Sequence, residues 1–248
     1  AVMEKMSAPE LQIYQARQVY EEAMHTWAYQ HCIETLNLDQ SEIYNRYRVV
    51  PAINGKIQMA NRRLDAAMRS DMNLRNKDDL QEFIMSYLFF AAVFEGAWFY
   101  NGFSPIFALQ RRGLMRGTGE QFQYILRDES IHLNFGIDLI NGIKKENPEA
   151  WSPEFQAEIN EMIEKSVELE IAYAEDCLPR GILGLNSGLF REYVQHIADR
   201  RLERIGLKPK YGSNNPFPWM SETIDLAKEK NFFETKVTEY QAGAALSW

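Results

Sequence analysis

The chain has 248 residues, of which 46% are hydrophobic and 25% are charged, and it carries a formal net charge of −8. This acidic balance excludes nucleic acid as a partner, since binding to phosphates requires clustered Lys and Arg. Cys32 and Cys177 are too few and too far apart for a disulfide scaffold or a zinc cluster, which indicates a reducing, cytoplasmic location.

The first half of the chain shows the periodicity of long helices. Apolar and site-type residues recur at helical steps from Leu11 to Leu36, after a Ser-Ala-Pro start signal, so we expect a first helix from about residue 9 to 36. Further helices are predicted over 51–72 and 77–100. The longest strongly apolar stretch, 83–94, is too short to span a bilayer, and no membrane partner is expected.

The second half of the chain continues the same pattern. Helices are predicted over 119–143, from Ser152-Pro153 to before Pro179, over 186–205 and over 221–230, with a loop at 211–219. Few stretches alternate in the manner of a β-strand. The sequence therefore predicts an all-α helical bundle.

Two short repeats stand out inside this pattern, Glu22-Ala-Met-His25 and Glu129-Ser-Ile-His132. Residues three apart lie on one face of a helix, so each repeat offers a carboxylate and an imidazole to the same point. Glu95 adds a third carboxylate in aromatic surroundings. Such a set suits two bridged iron or manganese ions, whose charge offsets the cost of burying the carboxylates.

An aromatic and apolar pocket is predicted beside these candidate ligands. Tyr29 lies one helical turn beyond His25, and Phe99 and Phe103 follow Glu95 at steps of four. Ile125 precedes Glu129 by four, so these three side chains can project toward the Tyr29 ring and exclude water. Tyr29 is then either a core tyrosine with a satisfied hydroxyl or a site for a stored radical. The two other histidines, at 31 and 196, lack a ligand-like spacing, and surface or hydrogen-bonded roles are expected for them.

These motifs together carry a family resemblance. Glu22-x-x-His25 with Tyr29, Glu95-x-x-x-Phe99-Tyr100-x-x-Phe103 and Arg127-Asp128-Glu129-x-x-His132 resemble the radical-generating small subunit of class I ribonucleotide reductase. The resemblance continues through Asn215-Pro-Phe-Pro-Trp219 and Asn231-Phe-Phe-Glu-Thr, and it covers nearly the whole chain.

The resemblance implies a ferritin-like helical domain at residues 1–231, a homodimer, and a site for two ions, iron and/or manganese. Tyr29 is then the radical site, and Asp128 orients His25 and links it to a radical-transfer path. A tail at residues 232–248 is expected to dock on the large subunit, where ribonucleotides are reduced, and Tyr240 is expected to pass the radical to it. The implied metal ligands are Glu22, His25, Glu95, Glu129 and His132.

The sequence departs from the family pattern in one respect. The resemblance also implies a sixth carboxylate ligand and a transfer Trp from an earlier helix, and Glu4 and Glu10 are not expected to replace that ligand. Either a stretch of the protein precedes the given sequence, or the site is incomplete and inactive. Two other functions remain open: a ligand-binding di-metal oxidase on the same scaffold, and a ferroxidase or iron-storage bundle of the ferritin type.

Overall fold

A computed structural model describes residues 2–182 and 184–220 of the chain. Apart from an isolated bridge between Ile182 and Leu185, the regular structure of these residues is helical, which confirms the all-α prediction. The main helices are α1 (Pro9–Thr35), α2 (Gln40–Val49), α3 (Pro51–Ala67), α4 (Lys77–Leu88), a π-helical segment (Phe89–Trp98), α5 (Phe99–Gln110), α6 (Arg116–Glu146), α7 (Pro153–Cys177) and α8 (Ser187–Arg204).

Several helix boundaries follow directly from capping residues. The Ser152 side chain accepts a hydrogen bond from the Phe155 amide at the start of α7, and Asn186 caps α8 through the Leu189 amide. Gly206, just beyond α8, has the positive φ of +80° that ends helices efficiently. The predicted helices at residues 9–36, 153–178 and 186–205 are therefore confirmed within a residue or two.

The region between α1 and α4 differs from the prediction. Helix α2, which the sequence pattern missed, begins after Asp39, whose carboxylate accepts a hydrogen bond from the Glu42 amide. Helix α2 has no buried residue, so it lacks the apolar periodicity on which the prediction relied. The predicted helix at 51–72 is α3, and it ends at Ala67.

The central helical run is longer than predicted and changes its winding. Helix α4, the π segment and α5 form one continuous helix, Lys77–Gln110, of 34 residues, where the prediction ended it at Tyr100. By length and composition alone this helix could cross a membrane, so the length of 83–94 does not by itself exclude a span. However, 72% of its most apolar window is buried inside the protein, as in the core helix of a folded domain.

The π segment lies at the centre of the bundle. Helix α6 packs against it on one side and also contacts α1 and α5, whereas α3, α7 and α8 pack on the other sides. Two apolar clusters fill the interior, one around Phe89, Ile140 and Ile159 and the other around Phe107, Leu126 and Phe190. Glu95, Glu129 and His132 thus lie on elements inside the bundle, whereas Glu22 and His25 lie on α1, most of whose residues are not buried.

Buried carboxylates fasten the outer elements to this core. Glu170 of α7 is fully buried and accepts hydrogen bonds from Lys56 Nζ at 2.5 Å and Asn101 Nδ2 at 2.9 Å. Asp199 of α8 accepts hydrogen bonds from the backbone amides of Lys210, Tyr211 and Gly212. Buried carboxylates are costly unless they are hydrogen-bonded. These contacts therefore join α7 to α3 and α5, and they join α8 to the loop that follows it.

Helix α6 approaches the π segment most closely at Gly136. A Cβ at this position would lie 2.4 Å from the Ala91 Cβ, closer than any real contact. We expect Gly136→Ala to lower the free energy of unfolding by about 1–3 kcal/mol, because the two helices must separate. Urea unfolding measures this effect.

Gly142 on the same helix provides the matched control, since a Cβ there meets nothing within 4 Å. Gly142→Ala should raise the stability by about 0.5–1 kcal/mol through better helix propensity. Equal effects of the two substitutions would contradict the close helix contact.

Candidate metal centre

Three elements bring the predicted ligands together. Helix α1 carries Glu22 and His25, the π segment carries Glu95, and α6 carries Glu129 and His132. Ligand atoms of Glu22, Glu95, Glu129 and His132 all lie within 4.8 Å of one another. His25 adjoins this group, with its Nδ1 3.2 Å from Glu129 Oε1.

The two Glu-x-x-His repeats form a symmetric arrangement. Glu22 presents Oε2 to His25 Nδ1 at 3.4 Å and Oε1 to His132 Nδ1 at 3.3 Å. Glu129 does the same, with Oε1 3.2 Å from His25 Nδ1 and Oε2 3.3 Å from His132 Nδ1. Each carboxylate therefore spans the space between the two imidazoles, which is the geometry needed to bridge two cations.

Glu95 makes the site asymmetric. Its Oε2 lies 3.9 Å from His132 Nδ1, so it adds a carboxylate on the His132 side. Gln18 of α1, which lies one turn before Glu22, donates a hydrogen bond to Glu95 Oε1 at 3.2 Å. In the part of the chain that the structure describes, the carboxylates that approach His25 are Glu22, Glu129 and Asp128.

Unsatisfied polar atoms test whether these residues fit a metal pair. Glu22 Oε1, His25 Nδ1 and Glu129 Oε1 are buried and have no hydrogen-bond partner of acceptable geometry, although they lie close together. Buried polar atoms normally find a partner, so three such atoms that converge on one space indicate a cation site. Carboxylate oxygens and imidazole nitrogens are ligands that suit iron and manganese, and the residues fit such a pair.

The two histidines offset part of the negative charge of the clustered carboxylates. Burial by itself lowers the pKa of His25, but the carboxylates of Asp128, Glu129 and Glu22 outweigh burial and raise this pKa to about 11. The pKa of His132 is likewise raised to about 10, against burial, by Glu129 and other nearby carboxylates. Both imidazoles therefore carry a proton at neutral pH when only protein groups surround them.

The carboxylates differ in their preference for protons. Burial acts to raise the pKa of Glu22, but contacts with His132 and His25 prevail and lower it to about 2. Burial and the charge of Glu129 raise the pKa of Glu95 well above its usual value. A cation at this place would therefore compete with protons on both histidines and on Glu95.

Each imidazole also contacts a carboxylate through its Nε2 atom, while Nδ1 faces the candidate metal site. Asp128 Oδ2 lies 3.3 Å from His25 Nε2, as the resemblance implied for this pair. On the other ring, His132 Nε2 lies 2.9 Å from Glu21 Oε2, and Glu21 is in turn held by Arg17. Such contacts fix the ring orientation and leave Nδ1 free to bind a metal.

Glu21 was missed by the sequence interpretation. It precedes Glu22 and is 8% exposed, but it lies four residues before His25 and contacts the histidine of the other repeat. The pairing crosses 111 residues of sequence, so no local spacing indicates it.

Tyr29 lies in an apolar environment close to the candidate ligands. It packs against the cluster that contains Phe103 and Ile125, and its ring meets that of Phe122 edge-on at 5.5 Å. Phe99 packs against the same cluster, with its ring 5.8 Å from that of Phe103. Burial and then the charges of Glu129 and Glu22 raise the pKa of the Tyr29 phenol above its usual value. Phe122 was not among the residues predicted for this pocket.

The remaining candidates divide into two groups. His31 is exposed, and His196 Nδ1 lies 3.2 Å from the Ser213 carbonyl oxygen, in agreement with surface and hydrogen-bonded roles. Tyr240, the tail at 232–248 and the helix predicted at 221–230 lie outside the described residues.

Comparison with known proteins gives consistent results. The profile of the family "Ribonucleotide reductase, small chain" matches residues 1–216. The chain is 54% identical over 248 residues to ribonucleoside-diphosphate reductase subunit beta of Chlamydia pneumoniae, covering 100% of this chain and 72% of that protein. It is 32% identical to the small subunit of Dictyostelium discoideum, covering 98% of this chain and 67% of that protein.

Solved structures support the same conclusion. The ribonucleotide reductase R2 subunit of Clostridium botulinum matches with a TM-score of 0.80 and 26% identity, covering 90% of this chain and 69% of that one. The dimanganese(II)-NrdF of Streptococcus sanguinis matches with a TM-score of 0.73, and its 17% identity supports the fold alone. The ferritin-like helical fold is thereby confirmed, and the similarity along the entire sequence shows that this chain belongs to the ribonucleotide reductase small-subunit family.

Proposed function

We propose that this subunit holds two ions, iron and/or manganese, stores an oxidising equivalent on Tyr29 and passes it to a large subunit that reduces ribonucleotides. The observation that carries this proposal is the placement of Glu22 and Glu129, each with one oxygen toward each imidazole. Glu22, His25, Glu95, Glu129 and His132 would hold the ions. When bound and oxidised by molecular oxygen or a related oxidant, such a pair of ions would supply the oxidising equivalent.

The protein's contribution to radical storage is the environment of Tyr29. Burial and the nearby carboxylates raise the pKa of its phenol and so disfavour loss of the proton to water, and the surrounding apolar side chains limit access of water and reductants. Phe103 and Ile125 are 3% and 2% exposed, so the pocket has little freedom to open. These properties favour a long-lived radical over a transient one.

Substrate reduction is assigned to the partner. No phosphate-cradling Gly-rich loop is visible in the sequence, so nucleotide chemistry belongs to the large subunit. We propose that residues 232–248 dock there and that Tyr240 transfers the radical, with Asp128 connecting His25 to the transfer path. We also propose a cytoplasmic location, which the two scattered cysteines support.

A second copy of this chain is the proposed partner of α1. Ile13, Tyr20, Met24 and Trp27 recur along one side of this helix, and each is at least 51% exposed. A row of large, exposed apolar side chains along one face of a helix is typical of an association surface. This row supports the homodimer that the resemblance implies.

One observation favours a different function. An apolar cavity of about 300 Å³ opens beside Glu22 and Glu95 and is lined by Val19, Phe83 and Phe90 among others. Such a cavity would suit a ligand-binding di-metal oxidase acting on an apolar organic molecule. Mass spectrometry of an organic extract of the purified protein tests this alternative, since a bound lipid-like molecule would support it.

Metal binding is expected to release protons. His25 and His132 carry protons at pH 7, because their pKa values are raised to about 11 and 10, and a metal requires the neutral ring. The apparent Mn(II) affinity should therefore rise with pH across the neutral range. Calorimetry in buffers of different ionisation enthalpy measures the proton release.

The expected stoichiometry is two ions per chain, and Glu129→Gln should bind fewer, since Glu129 faces both imidazoles. His31→Gln is the matched control on an exposed histidine and should behave as the unmodified protein. Binding without proton release, or loading below two ions at saturating metal, would contradict the proposed pair.

If Tyr29 holds the radical, removal of its hydroxyl oxygen should abolish the tyrosyl signal. After aerobic reconstitution with iron or manganese, electron paramagnetic resonance should show a tyrosyl signal that Tyr29→Phe abolishes. Tyr20→Phe, at a 65% exposed position on the same helix, should retain it. A tyrosyl signal that persists in Tyr29→Phe removes Tyr29 from this role, and a signal confined to the metal ions assigns the stored oxidant to them.

If the exposed row on α1 forms the dimer contact, a charge placed in it should halve the molar mass of the protein in solution. Trp27→Asp places a charge at the most exposed residue of the row on α1 and should convert a dimer into a monomer, as measured by light scattering. Tyr44→Asp, at a 48% exposed position on α2, should leave the dimer intact. A dimer that survives Trp27→Asp would place the contact elsewhere.

A further inference from the structure

The orientation of Glu95 depends on an irregular stretch of helix. Glu95 lies inside the π segment, which is flanked by α-helix on both sides. One residue added to or removed from a helix turns all later side chains by about 100° around the axis. A return of this segment to α-helical winding would therefore carry Glu95 away from His132, and something must hold the π form.

The neighbour of Glu95 is held by a side chain from another helix. Arg201 of α8 donates two hydrogen bonds to the Gly96 carbonyl oxygen, from Nε at 2.9 Å and from Nη2 at 2.7 Å. A Cβ on Gly96 would lie 2.7 Å from the Ala91 carbonyl oxygen and 3.3 Å from Arg201 Nε. Glycine is therefore needed here chiefly to avoid the Ala91 carbonyl oxygen, and it also leaves room for the guanidinium.

The same guanidinium reaches the other carboxylate helix through Tyr100. It lies 5.2 Å from the centre of the Tyr100 ring, and Tyr100 Oη is 2.7 Å from Ser130 Oγ. Ser130 donates its own hydrogen to the Leu126 carbonyl oxygen, so Tyr100 is the donor to Ser130. Ser130 follows Glu129 directly. Arg201 thus contacts Gly96, beside Glu95, and is linked through Tyr100 to Ser130, beside Glu129.

No salt bridge explains Arg201, because its contacts among the described residues are a carbonyl oxygen and an aromatic ring. An arginine suits this task better than a lysine, since its planar fork can donate two hydrogen bonds to one acceptor while its face lies on a ring. A partly buried cation without a carboxylate is costly, which points to a role that repays the cost.

We propose that Arg201 is a positioning residue, which holds the π segment through Gly96 and the Tyr100–Ser130 contact so that Glu95 and Glu129 face the same metal pair. This inference rests on the proposed function for the metals but concerns a residue of α8 outside the ligand set. Arg201 acts on the backbone and on a neighbouring ring, and it touches none of the candidate ligand atoms in the contacts described.

Two measurements test this role. Arg201→Met removes both hydrogen bonds and the charge, and Arg200→Met is the control on the exposed neighbour. In metal-free protein, we expect amide hydrogen exchange in residues 95–101 to be at least tenfold faster in Arg201→Met and unchanged in Arg200→Met. With Mn(II), we expect at least tenfold weaker binding of the ion beside Glu95 and an altered paramagnetic resonance spectrum of the pair.

Rescue distinguishes positioning from general stability. Arg201→Lys keeps the charge and one possible hydrogen bond, and it should restore part of the Mn(II) affinity. If Arg201→Met does not fold, Tyr100→Phe carries the test, because it keeps the ring under Arg201 and removes only the contact with Ser130. It should alter the Mn(II) spectrum with the ions still bound.

The results distinguish a positioning role of Arg201 from a purely stabilising one. A lower melting temperature of Arg201→Met with an unchanged Mn(II) spectrum and affinity would limit Arg201 to stability and overturn the proposal. Unchanged hydrogen exchange in Arg201→Met, or an unchanged spectrum in Tyr100→Phe where that variant carries the test, would also overturn it. If the unmodified protein fails to bind two ions, the proposed function fails, whereas the exchange comparison still decides whether Arg201 holds the π segment.

Discussion

The placement of two imidazoles between shared carboxylates is the constraint on which the rest of this structure depends. Glu129 is fully buried and His132 is 1% exposed, so this part of the core is built from charged groups. Such a cluster is costly unless its charges cancel. Protonated histidines do this within the protein, and the orphaned oxygen and nitrogen atoms that remain fit divalent cations that would replace the protons.

The surrounding fold keeps these charged groups in register. Gly136 lets α6 approach the π segment closely enough for Glu129 and Glu95 to meet, and a methyl group there would collide with Ala91. Behind each imidazole a carboxylate, Asp128 or Glu21, sets the ring orientation. The candidate ligands are therefore positioned by close helix contacts and by the carboxylates that contact the two imidazoles, as is expected of metal sites.

The charged cluster borders an apolar part of the interior. Tyr29 lies at the boundary, close enough to Glu129 and Glu22 for their charges to raise its phenol pKa, yet packed against aromatic rings. One domain thus combines a charged cluster, which suits cations, with an adjoining apolar pocket, where we propose that Tyr29 is oxidised. The chain belongs to the ribonucleotide reductase small-subunit family, whose membership does not depend on this pocket.

The sequence by itself determined the helical fold, most helix boundaries and the two Glu-x-x-His pairs, because capping residues and i, i+3 spacing act over a few residues. It did not reveal α2, which buries no side chain, or the π winding around Glu95, which no residue pattern marks. Only the tertiary structure paired Glu21 with His132 across 111 residues and brought Arg201 to Gly96 across 105. These contacts join helices distant in sequence, and their geometry depends on how whole helices pack, which local periodicity cannot encode.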